Sequence, residues 1–91
     1  MKETGFKYCD RPGFQMRFAN GWTVSVQWHS GAYCNNHLYR VDTKEELNEC
    51  ATAEIAAWDS NGDWYQFESD TVEGHKTPDE VAEFIQKIKS L

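Results

Sequence analysis

Apolar and polar residues alternate along residues 14–28, and this pattern predicts a β-hairpin. The apolar residues of its two arms share one face, and they are Phe14, Met16, Phe18, Trp22, Val24, Val26 and Trp28. Between the arms, Asn20-Gly21 predicts a two-residue type I′ turn, because Asn and Gly tolerate the positive φ angles that this turn needs. The alternate residues are polar, so we expect one face of the hairpin to require cover and the other to meet water.

The segments on either side of this hairpin show no regular spacing of apolar residues. Residues 1–13 contain two glycines and a proline, which predicts an irregular lead-in with Phe6 and Tyr8 packed against the sheet. Residues 29–50 are predicted to form a long loop, since they begin with Gly, Ser and paired Asn. Within this loop, residues 42–47 are suited to a short helix capped by Thr43.

A second hairpin is predicted over residues 51–68, where Asp59-Ser60-Asn61-Gly62-Asp63 joins two regular runs. We expect Trp58 and Trp64 to flank this loop as a cross-strand aromatic pair on the polar face of the sheet. The residues predicted to face the core are Ala53, Ile55, Ala57, Tyr65 and Phe67.

A C-terminal helix is predicted over residues 77–90. Thr77-Pro78-Asp79-Glu80 supplies an N-cap, a proline at the first helical position and a glutamate placed for a capping box. One apolar stripe follows, made of Val81, Phe84, Ile85, Ile88 and Leu91. The sequence therefore predicts a single α+β domain over residues 1–91, an antiparallel β-meander of about four strands with one amphipathic helix packed on one face.

The chain is acidic, with 15 Asp and Glu against nine Lys and Arg and a formal net charge of −6. This charge repels nucleic acid, so we expect no direct nucleic-acid partner, and it suits a protein partner with a basic surface. No run approaches the roughly 18 apolar residues that a membrane span needs. Three cysteines and an N-terminus without an apolar segment lead us to expect a cytoplasmic protein with reduced thiols.

Metal binding and catalysis are poorly supported. His29, Cys34 and His37 lie within nine residues and are the weak candidates for a metal site, but their spacing differs from that of paired zinc knuckles. Asp59, Asn61 and Asp63 match three calcium-loop positions, yet Trp64 occupies the position that is normally glycine. No cationic cluster or helix start accompanies Cys34 to activate it. We therefore predict no cofactor, no metal, no catalytic residues and no enzymatic activity.

Exposed aromatic residues point instead to protein binding, because Trp and Tyr are enriched at interface hot spots. The predicted partner-binding residues are Trp28, His29, Tyr33, Glu54, Trp58, Trp64 and Glu68. The same aromatic residues also serve as ordinary core and cross-strand packing. Two alternatives remain open: the loop at residues 29–37 sequesters a small ligand or metal, and an exposed edge strand pairs with a second copy to form a homodimer.

Four stretches together resemble small proteins encoded by bacteriophages and prophages. They are residues 20–28, Tyr33-Cys34-Asn35, residues 52–58 and residues 77–81, so the resemblance covers roughly residues 14–90. The group has no assigned activity or catalytic residues to carry over. The resemblance implies a setting in the host cytoplasm, where small acidic phage proteins bind and inhibit host or defence machinery, as anti-CRISPR proteins do.

Overall fold

The computed structural model of the protein describes residues 3–35 and 49–91. Within these ranges the chain forms one antiparallel sheet, in the order β1-β2-β3-β4-β5, and one C-terminal helix. The elements are β1 (Gly5–Tyr8), β2 (Gly13–Arg17), β3 (Thr23–Gln27), β4 (Ala53–Trp58), β5 (Glu73–Lys76) and α1 (Pro78–Lys89). The predicted α+β class is confirmed, with five strands rather than about four. The short helix predicted at residues 42–47 lies outside the described residues.

The first hairpin is confirmed, but its predicted two-residue turn is wrong. Phe18 N–H donates to Trp22 O at 2.9 Å, and Gly21 N–H donates to Phe18 O at 3.0 Å, which leaves a three-residue loop at positions 19–21. Gly21 has a φ of 90°, whereas Asn20 does not adopt a positive φ. This loop length sets Phe14 opposite Val26, while a two-residue loop would place a polar residue there. The apolar pattern therefore selects the longer loop.

The N-terminal segment contains a strand that the sequence analysis missed. β1 pairs with β2, with Phe6 opposite Met16 and Tyr8 opposite Phe14. The expected irregular structure over residues 1–13 is therefore wrong at residues 5–8, where the alternation is too short to be recognised by its period. Phe6 and Tyr8 are also not packed away as expected, because their side chains are 78% and 64% exposed at the edge of the sheet.

The prediction of a second hairpin is confirmed for its first strand only. β4 forms as predicted, but residues 64–68 contribute one bridge, between Trp58 and Trp64, instead of a strand. Phe67 N–H donates to Asp70 O at 2.9 Å, so the chain turns away after the bridge. Ile55 pairs with Glu73 of β5.

Helix α1 covers one face of the sheet, as predicted. Thr77 and Glu80 form the capping box, and Val81, Phe84 and Ile88 are buried against β3, β4 and β5. The strand residues of this core are Val24, Val26, Ala53, Ile55 and Ala57. Burying a large apolar side chain stabilises the fold by roughly 1.5–3 kcal/mol, so the helix is a main source of stability. No helix in the described part of the chain has the length and hydrophobicity that a bilayer span requires.

Candidate interaction surface

The sheet face opposite α1, here called the outer face, is built by alternate residues of the strands. Its strand residues are Gly5, Lys7, Gln15, Arg17, Thr23, Ser25, Gln27, Glu54, Ala56 and Trp58. Pairing aligns them in rows, so that Arg17, Thr23 and Trp58 lie side by side across β2, β3 and β4. Neighbouring strands are about 4.8 Å apart, so a row brings together side chains that are distant in sequence.

The predicted cross-strand pairing of Trp58 with Trp64 is confirmed. Their ring centroids are 5.0 Å apart and their planes are tilted by 45°. Trp58 is half-buried, whereas Trp64 is 50% exposed. Because directly opposed residues of an antiparallel pair share a face, both indoles belong to the outer face. The pair therefore presents a large, mutually supported aromatic surface that α1 does not cover.

Carboxylates flank this aromatic pair in the turn that connects the two tryptophans. Asp59 Oδ1 accepts hydrogen bonds from the backbone N–H groups of Asn61 and Asp63, at 2.9 and 3.0 Å. Gly62 completes the turn with a φ of 84°. These bonds hold the turn without an ion, so they favour the turn interpretation over a calcium loop. They also hold negative charge beside the indoles.

The centre of the outer face is less open than the sequence suggested. Thr23 and Ser25 are each only 4% exposed, and Ala56 is 6% exposed, although none of them faces the helix. Thr23 lies directly between Arg17 and Trp58, both of which are much larger. Ser25 lies directly opposite Ala56, so the buried centre of the outer face consists of small side chains. The expectation that this face simply meets water is therefore wrong at its centre.

The loop after β3 packs at the other end of the outer face. Glu54 Oε2 accepts a hydrogen bond from Tyr33 N–H at 2.9 Å, and Tyr33 O accepts one from His75 N–H at 2.8 Å. A Cβ atom on Gly74 would approach the Tyr33 backbone oxygen to 2.5 Å, so only glycine fits there. Tyr33 is 53% exposed, but Glu54 is four residues from Trp58, or about 13 Å along the strand.

His29 has a packing role in this loop. Gly31 N–H donates a hydrogen bond to Nδ1 of His29 at 3.0 Å. Because Nδ1 accepts, the proton of the neutral imidazole is on Nε2, which donates to Gln27 Oε1 at 2.7 Å. Gln27 in turn donates to Ser25 Oγ at 2.9 Å. Metal binding at either ring nitrogen would require one of these bonds to break. His37 lies outside the described residues, and the described ranges hold no cluster of three or more metal-binding side chains.

Cys9 and Cys34 are in environments that disfavour the thiolate. Cys34 is 1% exposed, and its Sγ donates to His29 O at 3.6 Å. Burial raises the pKa of Cys9, an effect that the nearby charge of Lys7 reduces. Because the thiolate is the nucleophilic form, these positions are unsuited to covalent catalysis at neutral pH. All three cysteines lie in the described ranges, and no disulfide joins them.

Comparison with known proteins does not identify functional residues in this chain. A scan of protein-family models, a search of curated proteins and a search of solved structures each find no match. The candidate surface is therefore defined by the geometry, exposure and charge of the described residues.

The structure divides the predicted partner-binding residues among different places. Trp58 and Trp64 lie at one end of the outer face, Glu54 and Tyr33 at the other, and exposed Glu68 follows the bridge. Trp28 is on the helix side, where its ring contacts Phe14 edge to face at 6.3 Å. Trp28 continues the core-facing alternation of β3, as the sequence predicts, so it does not share the outer face with Trp58 and Trp64.

Arg17 belongs to the same row as Trp58, and the sequence analysis gave it no role. Its side chain is half-buried, and its Nε atom is buried without a hydrogen-bond partner in residues 3–35 and 49–91. The sequence places Arg17 among the polar residues of the first hairpin. That position does not show whether its guanidinium has a hydrogen-bond partner. Arg17 thus extends the candidate surface from the aromatic pair toward β1.

Proposed function

We propose that this protein is a non-enzymatic interaction protein that binds a host or defence macromolecule and inhibits it by occupying part of its surface. One observation carries the proposal: Trp64 is 50% exposed and in tilted ring contact with half-buried Trp58 on a face that α1 leaves uncovered. An indole held in place by a neighbour loses little side-chain entropy on binding. Tryptophan is also among the residues most enriched at hot spots.

Charge supports a protein partner with a basic surface. Asp59 and Asp63 lie in the turn beside the two indoles, and the whole chain carries a net charge of −6. Complementary potential accelerates association and suppresses wrong partners, whereas a nucleic-acid backbone would be repelled. The proposal places this interaction in the cytoplasm of a bacterial host, as the resemblance to phage-encoded proteins implies.

Quantitative capture from bacterial lysate, followed by calorimetry with the purified partner, tests this function. Trp64→Ala should weaken binding by roughly 30-fold, equivalent to about 2 kcal/mol at a hot spot. Phe6→Ala is the matched control, because Phe6 is an aromatic residue that is 78% exposed at the β1 edge. Circular dichroism checks that both variants are folded. A folded Trp64→Ala protein with unchanged affinity would refute the proposed surface.

The alternative function, sequestration of a small ligand, is favoured by one other feature. A groove of about 920 Å³ lies between α1 and the ends of β3 and β4, lined by apolar residues that include Val26, Trp28, Val81 and Ile85. Its size and apolar lining suit a small apolar ligand. Such a ligand would raise the melting temperature, and above its Kd the stabilisation would grow with the logarithm of its concentration by mass action. An interaction protein that acts through the indole pair would show no such shift.

A further inference from the structure

Arg17 is a half-buried cation that lacks a partner in the part of the chain that the structure describes. The chain contains 15 acidic residues, yet neither described ion pair involves Arg17, and the buried Nε–H makes no hydrogen bond. A buried donor left without an acceptor is unfavourable, because the hydrogen bond that it made to water is lost and not replaced. Nε itself is out of reach of an acceptor in solvent, so a group supplied from outside would bind the terminal Nη1 and Nη2 groups of this half-buried guanidinium, which are not among the buried unpaired atoms.

The surroundings of Arg17 leave room for such an acceptor. Gly5 is directly opposite Arg17 on β1, and a Cβ atom added at Gly5 would have no heavy atom within 4 Å. On the other side lies Thr23, a small residue that is 4% exposed. A group that approaches from solvent can thus reach the guanidinium while its neighbour reaches Trp58, two strands or about 10 Å away.

The charge around Arg17 selects an anion. The outer-face residues of β1, β2 and β3 include two cations, Lys7 and Arg17, and no carboxylate. Lys7 is diagonal to Arg17 across the strand pair, at roughly 7–8 Å. The outer face therefore has a basic part on β1 and β2, and an aromatic part on β4 that is flanked by Asp59 and Asp63.

We propose that Arg17 is a partner-contact residue that donates hydrogen bonds to a carboxylate of a protein partner, while Trp58 and Trp64 pack against an apolar or planar side chain next to that carboxylate. This inference rests on the proposed function, and it adds that the partner's basic surface contains an acidic group at this position. The planar guanidinium binds a carboxylate through paired hydrogen bonds. Opposite charges at the two ends of one face also fix the orientation of the bound partner.

Nuclear magnetic resonance of the intact protein tests the assignment with two probes, the blocked dipeptides acetyl-Phe-Glu-amide and acetyl-Phe-Gln-amide. The glutamate probe should shift the Arg17 Nε–H and the indole N–H of Trp64 together. It should bind roughly threefold to fivefold more tightly than the glutamine probe, the size expected for one partly exposed ion pair. Arg17→Gln should abolish this preference. Arg11→Gln is the control, because Arg11 donates to Ser30 in a loop outside the row.

Equal binding of the two probes, absence of binding by both, or a preference that survives Arg17→Gln would overturn the inference. Tighter binding of inorganic phosphate than of the glutamate probe would also overturn it, because the site would then select phosphate. These outcomes are distinct from failure of the proposed function. If the probes show no role for Arg17 while Trp64→Ala still loses the captured partner, the indole surface stands and only the carboxylate contact is wrong.

Discussion

The side-chain amide of Asn20 donates a hydrogen bond to the carbonyl oxygen of Ile88 at 2.9 Å, joining the first β-turn to the last turn of α1. The same Nδ2 lies 3.3 Å from Lys89 O and 3.2 Å from Leu91 O. Carbonyl groups at a helix C-terminus lack the partners that they would have in the helix interior. Ile88 O accepts one bond from Leu91 N–H at 3.2 Å, and the Asn20 amide supplies a second donor from the hairpin loop. Asn20 Oδ1 also accepts from Trp22 N–H at 3.0 Å. One side chain therefore caps the helix and stabilises the turn.

Asn20→Ala should lower the free energy of unfolding by about 1–2 kcal/mol, because both the helix cap and the turn contact are lost. Urea unfolding followed by tryptophan fluorescence measures the change. Asn61→Ala is the matched control, since Asn61 is exposed in the other turn and should change stability by less than about 0.5 kcal/mol. Equal effects of the two substitutions would show that Asn20 does not connect the turn to the helix.

Two aliphatic residues at the end of α1 differ completely in exposure. Ile88 is 0% exposed and Leu91 is 57% exposed. Ile88→Ala should therefore cost about 2–5 kcal/mol through lost burial and the cavity left behind. Leu91→Ala should cost less than about 0.5 kcal/mol. Thermal and urea denaturation of the two variants test whether the helix packs in this register, and a larger loss for Leu91→Ala would contradict it.

His75 is a non-glycine residue with a φ of 55° in β5, next to the loop contact with Tyr33. Left-handed backbone is costly for a residue with a Cβ atom. We expect His75→Gly to be more stable than His75→Ala by about 0.5–1 kcal/mol, since both remove the imidazole and only Gly relieves the strain. The same exchange at exposed Ala82 in α1, Ala82→Gly, should be destabilising by a similar amount. Comparable stability of His75→Gly and His75→Ala would rule out backbone strain at this position.

The capping box predicts how stability depends on pH. The hydrogen bond from Thr77 N–H to the Glu80 carboxylate is the main cause that holds the pKa of Glu80 below its ordinary value of 4.5, with help from the Thr77 hydroxyl and Lys76. A lowered pKa in the folded state contributes stability above pH 4.5, and that contribution is lost as the pH falls through the folded-state pKa. Glu80→Gln should be less stable than the parent at pH 7, with the difference shrinking below pH 4.5. Melting temperatures measured from pH 7 to pH 2.5 test this, and a constant difference would exclude the charge of Glu80 as the cause.

Part of the candidate site could be predicted from the sequence. A five-residue turn between Trp58 and Trp64 was sufficient to predict their cross-strand pairing, because pairing next to a turn is a local property. The unpaired state of Arg17 was not predictable, since it depends on which residues of β1 and β3 lie beside it. The core-facing position of Trp28 was predictable, because Trp28 continues the apolar alternation of β3.

Local patterns determined the elements of this protein. Alternation of apolar residues assigned the faces of β2 and β3, and Thr77-Pro78-Asp79-Glu80 determined where α1 begins, because these signals act between residues close in the chain. Tertiary packing decided the rest. Burial of one apolar face required a three-residue loop at positions 19–21 in spite of Asn20-Gly21. The edge pairing of β1 and the selection of β5 over residues 64–68 depend on contacts between distant segments, whose free energy exists only once the sheet and helix have come together.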